Sequence, residues 1–111
     1  MNTILKKSLN KPEETKTPEK IKVEIVTIDG FKIQRDTAAP GWQWSKHIKP
    51  VVGGDSCQIH HTLYVVSGKL HVKMNDGKEV EFGPGDVGAI PPGHDGWNAE
   101  NEPLVWLEFS R

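Results

Sequence analysis

Gly53-Gly54-Asp55-Ser56-Cys57-Gln58-Ile59-His60-His61-Thr62-Leu63-Tyr64-Val65-Val66-Ser67-Gly68 runs through the middle of the chain, and its reading decides what the flanking segments can be. Most of the stretch has the residue types of a strand, and the glycines at both ends are what tight turns require. It also holds the single cysteine and two of the five histidines of the chain. One cysteine cannot close an internal disulfide, so Cys57 is read as a buried thiol, a redox group or a metal ligand.

Working outward from Gly68, Leu70, Val72 and Met74 alternate with Lys69, His71 and Lys73, and Asn75-Asp76-Gly77 turns the chain into Glu79-Val80-Glu81-Phe82. That is a hairpin with one wet face. Gly83-Pro84-Gly85-Asp86 is a second tight turn, Val87 to Ile90 a short strand, Pro91 to Gly96 a loop, and Leu104 to Phe109 a last, nearly continuous apolar strand. Upstream, Ile21, Val23 and Ile25 alternate with Lys22 and Glu24 as far as the Asp29-Gly30 turn, and Phe31 to Arg35 alternates again. Ala39-Pro40-Gly41 interrupts before Trp42 and Trp44, which stand two apart and are expected to share a strand face. Short strands with frequent turn signals and no 3.6-residue period predict an all-β sandwich or barrel. Residues 1–20, with five lysines, three glutamates, Pro12 and Pro18, read as a flexible or edge-lying N-terminal arm, and residues 21–111 as one domain.

Fourteen basic against 15 acidic residues, interspersed along the chain, leave no concentrated basic face, so no nucleic-acid partner is expected. No apolar run is long enough for a membrane span, and Met1 to Leu9 has no secretory core, so the expected location is the cytoplasm. No nucleophile elbow, phosphate-cradling loop or dinucleotide fingerprint is present.

Two of these phrases together resemble the small single-domain cupins over about Ile21 to Phe109. Gly85, Pro91 and Gly93, entered through Phe82-Gly83-Pro84-Gly85-Asp86, match the family's second motif; His61 to Gly68 matches the strand and closing glycine of its first. The resemblance implies a cupin double-stranded β-helix, a jelly-roll-type barrel with an open mouth, and a homodimer. The usual ligand positions have diverged. Counting from Gly68 and Gly93, they fall on Asp55, Cys57, His61 and Gly96, with His94 and Asp95 beside the last. The chain also resembles a cupin subgroup that shares Asp-Ser-Cys-Gln and Pro-Pro-Gly-His-Asp and has no settled activity.

On a straight strand Cys57 and His61 would lie roughly 13 Å apart, too far for one ion with bonds of about 2.0 to 2.3 Å. The resemblance implies a bend that joins them. Cys57, His61 and His94 would then converge, with Asp55 or Asp95 as a fourth ligand or as an acceptor for a ligand's hydrogen bond, on a divalent metal: zinc first, then iron or copper. A packed thiol and a histidine bonded to a carbonyl are the alternative. Trp42, Trp44, Tyr64 and Trp97 are the expected pocket residues, with Trp97 closing the mouth. His47, His60 and His71 are expected at the surface. The resulting readings are a metal-binding cupin holding a small molecule in its barrel, a ligand-binding or sensing module without metal, and a redox sensor that pairs Cys57 between subunits.

Overall fold

The regular alternation that begins at Ile21 builds the first long strand, and the computed structural model, which describes residues 3–111, pairs it on both sides. Residues 1 and 2 of the N-terminal segment lie outside the described residues. In chain order the strands are β1 (Glu14–Lys16), β2 (Ile21–Ile28), β3 (Phe31–Ala38), β4 (His61–Ser67), β5 (Leu70–Met74), β6 (Glu79–Phe82), β7 (Val87–Ile90), β8 (His94–Trp97) and β9 (Leu104–Ser110). They form a six-stranded sheet ordered β1-β2-β3-β9-β4-β7 and a three-stranded sheet ordered β6-β5-β8, antiparallel throughout. This is the jelly-roll-type barrel that the resemblance implies.

Ile21, Ala38, Leu63, Val65, Leu104 and Trp106 from the larger sheet meet Leu70 and Val72 from the smaller in one buried cluster, which Trp42, Trp44, Cys57 and Ile90 complete. Gly68 shows why the first motif ends in glycine. Its φ is +78°, and a Cβ there would fall 2.7 Å from the Pro103 carbonyl oxygen and 2.8 Å from Leu104 Cα, where no side chain fits.

The segment between β3 and β4 differs from the sequence reading. Trp42 and Trp44 do not share a strand: Gln43 makes a single bridge to Trp97, and two one-turn helices follow, α1 (Trp44–His47) and α2 (Lys49–Val52). Elements this short carry no hydrophobic period, so the pattern could not reveal them. Both tryptophans are buried nonetheless. His47 is also turned inward, its Nδ1 accepting the Gln43 amide at 3.1 Å. The expected Pro91–Gly96 loop is shorter than read, because pairing with β5 draws His94 to Trp97 into β8.

The outer face of β2 and β3 is covered by chain preceding β1. Arg35 donates to Glu24 Oε1 at 3.0 Å, to Asn10 Oδ1 at 3.1 Å and to the Leu9 carbonyl at 3.2 Å. Thr3 and Leu5 share a cleft with Ile28, Phe31 and Ile33. This cover inverts the simplest reading of β3: the apolar Phe31 and Ile33 lie outside beneath it, and Lys32, Gln34 and Asp36 line the interior.

Candidate metal centre

Cys57 precedes β4, and its backbone is clamped to the start of β8. Its amide donates to the His94 carbonyl at 2.8 Å, and its carbonyl accepts from the Gly93 amide at 2.7 Å. Ser56 is tethered alongside, its Oγ accepting from Asn75 Nδ2 at 3.1 Å and Gln58 Nε2 at 3.0 Å. Gly93 makes the clamp possible with φ +93°, at a point where a Cβ would stand 3.1 Å from Asn75 Nδ2. The chain between Cys57 and His61 is irregular, and it brings Sγ to within 3.6 Å of His61 Nε2.

His94, buried on the inner side of β8, completes the group. One ligand atom from each of Cys57, His61 and His94 lies within 4.8 Å of the others, and the two imidazole rings meet edge to face with centroids 5.0 Å apart. Each ring is held through its other nitrogen. His61 Nδ1 donates to Glu108 Oε1 at 2.9 Å, and His94 Nδ1 donates to the Pro91 carbonyl at 2.7 Å. Trp106 Nε1 donates to the same Glu108 oxygen at 2.8 Å, fixing the carboxylate in turn.

The charges follow from this geometry. Burial pushes the Cys57 thiol up, but hydrogen bonds from His61 and His94 outweigh it and bring the thiol down to about 6. Burial likewise disfavours a charged His61, yet the Cys57 sulfur and the Glu108 carboxylate raise it to about 10. Without an ion, both shifts favour a thiolate facing an imidazolium. Asp36, also inside, is raised to about 7 by burial and by the Glu108 charge.

The group stands on the wall of a cavity of about 390 Å³. Ile21, Val23, Ile25, Trp42, Leu63 and Trp106 supply apolar surface; Gln34, Asp36 and Glu108 supply polar groups, and exposed residues such as Lys32 and His60 also line it.

Other expected site residues lie elsewhere. Asp55 is exposed and does not join the convergent group. Asp95 points away from it because His94 and Gly96 take the inward places on β8. Its carboxylate is filled by Gln43 Nε2 at 2.8 Å, Ser45 Oγ at 2.8 Å, the Ser45 amide at 3.1 Å and the Gly96 amide at 2.9 Å. Asp95 ties α1 to β8 and stands outside the convergent group. Tyr64 is 40% exposed on the outer face of β4, since Leu63 and Val65 take the inner one. Trp97 does not close the mouth: it lies outside, stacked on a half-buried His71 with centroids 5.8 Å apart. His60 is exposed as expected. Cys57 is buried, at 4% exposure.

The sequence reading missed Glu108 and Asp36. A glutamate within the apolar Leu104–Phe109 run was the available signal for the first, because a charge on a buried strand needs a partner.

The family model for the cupin domain matches residues 53–110, and the chain belongs to that family. No curated protein matches it. Among solved structures, it is similar to a structural-genomics protein of unknown function from Rhizobium leguminosarum bv. viciae, at 20% identity over 96% of this chain and 95% of that one, with a TM-score of 0.69. A sugar phosphate isomerase of the cupin superfamily from Silicibacter pomeroyi aligns at 18% identity over 95% of this chain and 74% of that one, also with a TM-score of 0.69. A mutant of Bacillus subtilis oxalate decarboxylase aligns at 27% identity over 87% of this chain and 27% of that chain, with a TM-score of 0.61. The first two likenesses concern the fold alone. No helix among the described residues is long and apolar enough to cross a membrane.

Proposed function

We propose that this cupin holds a divalent metal ion on Cys57, His61 and His94 and binds a small molecule in the adjoining cavity. The convergence of the three donor atoms within 4.8 Å of one another carries the reading. Two further observations fit it. Ligands bonded to one tetrahedral ion at about 2.0 to 2.3 Å stand roughly 3.5 Å apart, close to the 3.6 Å between Cys57 Sγ and His61 Nε2. Both histidines give their Nδ1–H to an oxygen acceptor, which leaves Nε2 for an ion in the orientation that ligating imidazoles adopt.

One sulfur and two nitrogens suit zinc first, with iron or copper behind it. Three protein ligands leave a fourth tetrahedral position for water or for a donor atom of the bound molecule, and a bound ion would supply Lewis-acid polarisation there. The protein's own part is to hold the imidazoles through Glu108 and Pro91 and to enclose the molecule against apolar walls. Elemental analysis after reconstitution with zinc tests the reading. About one ion per chain is expected, and less than a tenth would end it.

The second reading is a ligand-binding module without metal. The Cys57–His61–Glu108 chain favours it, because sulfur, imidazole and carboxylate already satisfy one another without an ion.

A further inference from the structure

The cavity contains polar atoms that the metal reading does not use. Asp36 is 4% exposed, yet only one of its oxygens is occupied, Oδ1 accepting from Gln34 Nε2 at 2.8 Å. Among the described residues no donor meets Oδ2, and Asp36 lines the cavity. Glu108 repeats the pattern one rung along. Its Oε1 takes both His61 and Trp106, and Oε2 meets no donor among the described residues. The strand register pairs Gln34 with Glu108 and Asp36 with Trp106, so the two carboxylates are diagonal neighbours on the inner face of β3 and β9.

A buried carboxylate beside a half-buried one, each with an open oxygen, is unfavourable unless something donates to both. Among the described residues neither belongs to a convergent group of three or more His, Cys, Asp or Glu ligand atoms, so they do not form a metal cage of their own. A hydroxyl has one proton to give and no charge to offset theirs. A primary ammonium has three protons and the opposite charge. Lys32, the inward residue beyond Gln34 on β3, is exposed; its charge reaches Asp36, but among the described residues it makes no hydrogen bond or ion pair with either carboxylate. The remaining walls, including Ile21, Val23, Ile25 and Leu63, ask for an apolar body of modest size.

We propose that Asp36 and Glu108 form a subsite for the ammonium group of a small primary amine whose apolar part lies against the cavity walls. This rests on the reading that the cavity takes a small molecule, and it does not require the ion. A matched series of 1-butylamine, 1-butanol and butyrate tests it, titrated into metal-free and zinc-loaded protein and followed by NMR shifts of the indole N–H signals. Butylamine is expected to bind at least tenfold tighter than butanol, and butyrate not to bind. Asp36→Asn is expected to lose most of that tenfold preference while keeping its zinc content and melting no lower than the wild type, because it exchanges a buried charge for a neutral amide.

Equal binding of amine and alcohol by the wild-type protein would overturn the proposal even if the variant failed to fold. Wild-type amine affinity in a folded Asp36→Asn protein would overturn it too, as would a lowered melting temperature with binding of all three probes lost, the mark of a structural carboxylate. Amine selectivity without bound zinc would sink the metal reading alone. Zinc without amine selectivity would sink this one alone.

Discussion

The two sheets that enclose the cavity meet it with different chemistry. From the three-stranded sheet, β5 contributes Leu70 and Val72, and β8 contributes Gly96 with His94 as its polar group. On the six-stranded sheet Gln34 and Asp36 of β3, Glu108 of β9 and His61 of β4 form a polar band across three neighbouring strands. The first wall, His94 apart, behaves as an ordinary core sheet with its polar residues outside. The second places ionisable groups where burial works against them, and only part of their hydrogen-bonding capacity is met within the protein. A stability-optimised core would have made both walls alike, so the asymmetry marks the polar wall as the one shaped for binding.

The largest expected effect removes the group that joins the walls. Cys57→Ala should lower bound zinc from about one ion per chain to less than a tenth by elemental analysis, because two imidazoles alone make a weak site. In the wild type the ion must displace the proton shared by Cys57 and His61, and a second proton once the pH falls below the thiol's value of about 6. Zinc affinity measured by competition with a chelator should therefore fall as the pH is lowered, most steeply below about pH 6.

A smaller change leaves the ligands and disturbs their support. Glu108→Gln keeps an acceptor for His61 Nδ1 but removes its charge, and zinc affinity should weaken by about 10- to 100-fold with the stoichiometry unchanged. An unaltered affinity would mean that the polar wall is unconnected to the ion.

Asp36→Asn probes the cost of that wall. The folded-state value of Asp36 is raised from 3.8 to about 7, so its protonated form is favoured by folding. That contribution is fully present below about pH 4 and is lost as the pH rises through 7. The variant should therefore gain stability over the wild type at pH 8, by up to about 4 kcal/mol, and little at pH 4, as read by urea unfolding at the two values. Glu108, His61 and Lys32 act on Asp36 and are present in both proteins, so the difference between the two curves isolates the one carboxylate. A variant less stable at pH 8 would show that Asp36 is held by contacts and not merely tolerated.

The smallest effect is a control on the opposite side of the motif. Asp55→Asn alters an exposed side chain outside the convergent group and should leave zinc content and melting temperature unchanged. Loss of zinc would return Asp55 to the ligand set.

Most strands and turns were legible in the sequence, because alternation, Asp29-Gly30 and Asn75-Asp76-Gly77 act over a few residues at a time, and the jelly-roll class was what the resemblance carried by the two motifs implied. Cys57, His61 and His94 could be named as candidates, since their residue types carry the chemistry. Tertiary structure decided the rest. Alternation tells which residues share a face but not which face is inside: in β3 the chain preceding β1 covers Phe31 and Ile33 from outside and leaves Gln34 and Asp36 facing the cavity. The meeting of Cys57 with His61 depends on an irregular backbone clamped to Gly93 and His94, and the meeting of His61 with Glu108 spans 47 residues of chain. Local propensity carries no information about contacts between residues that only the closed barrel brings together.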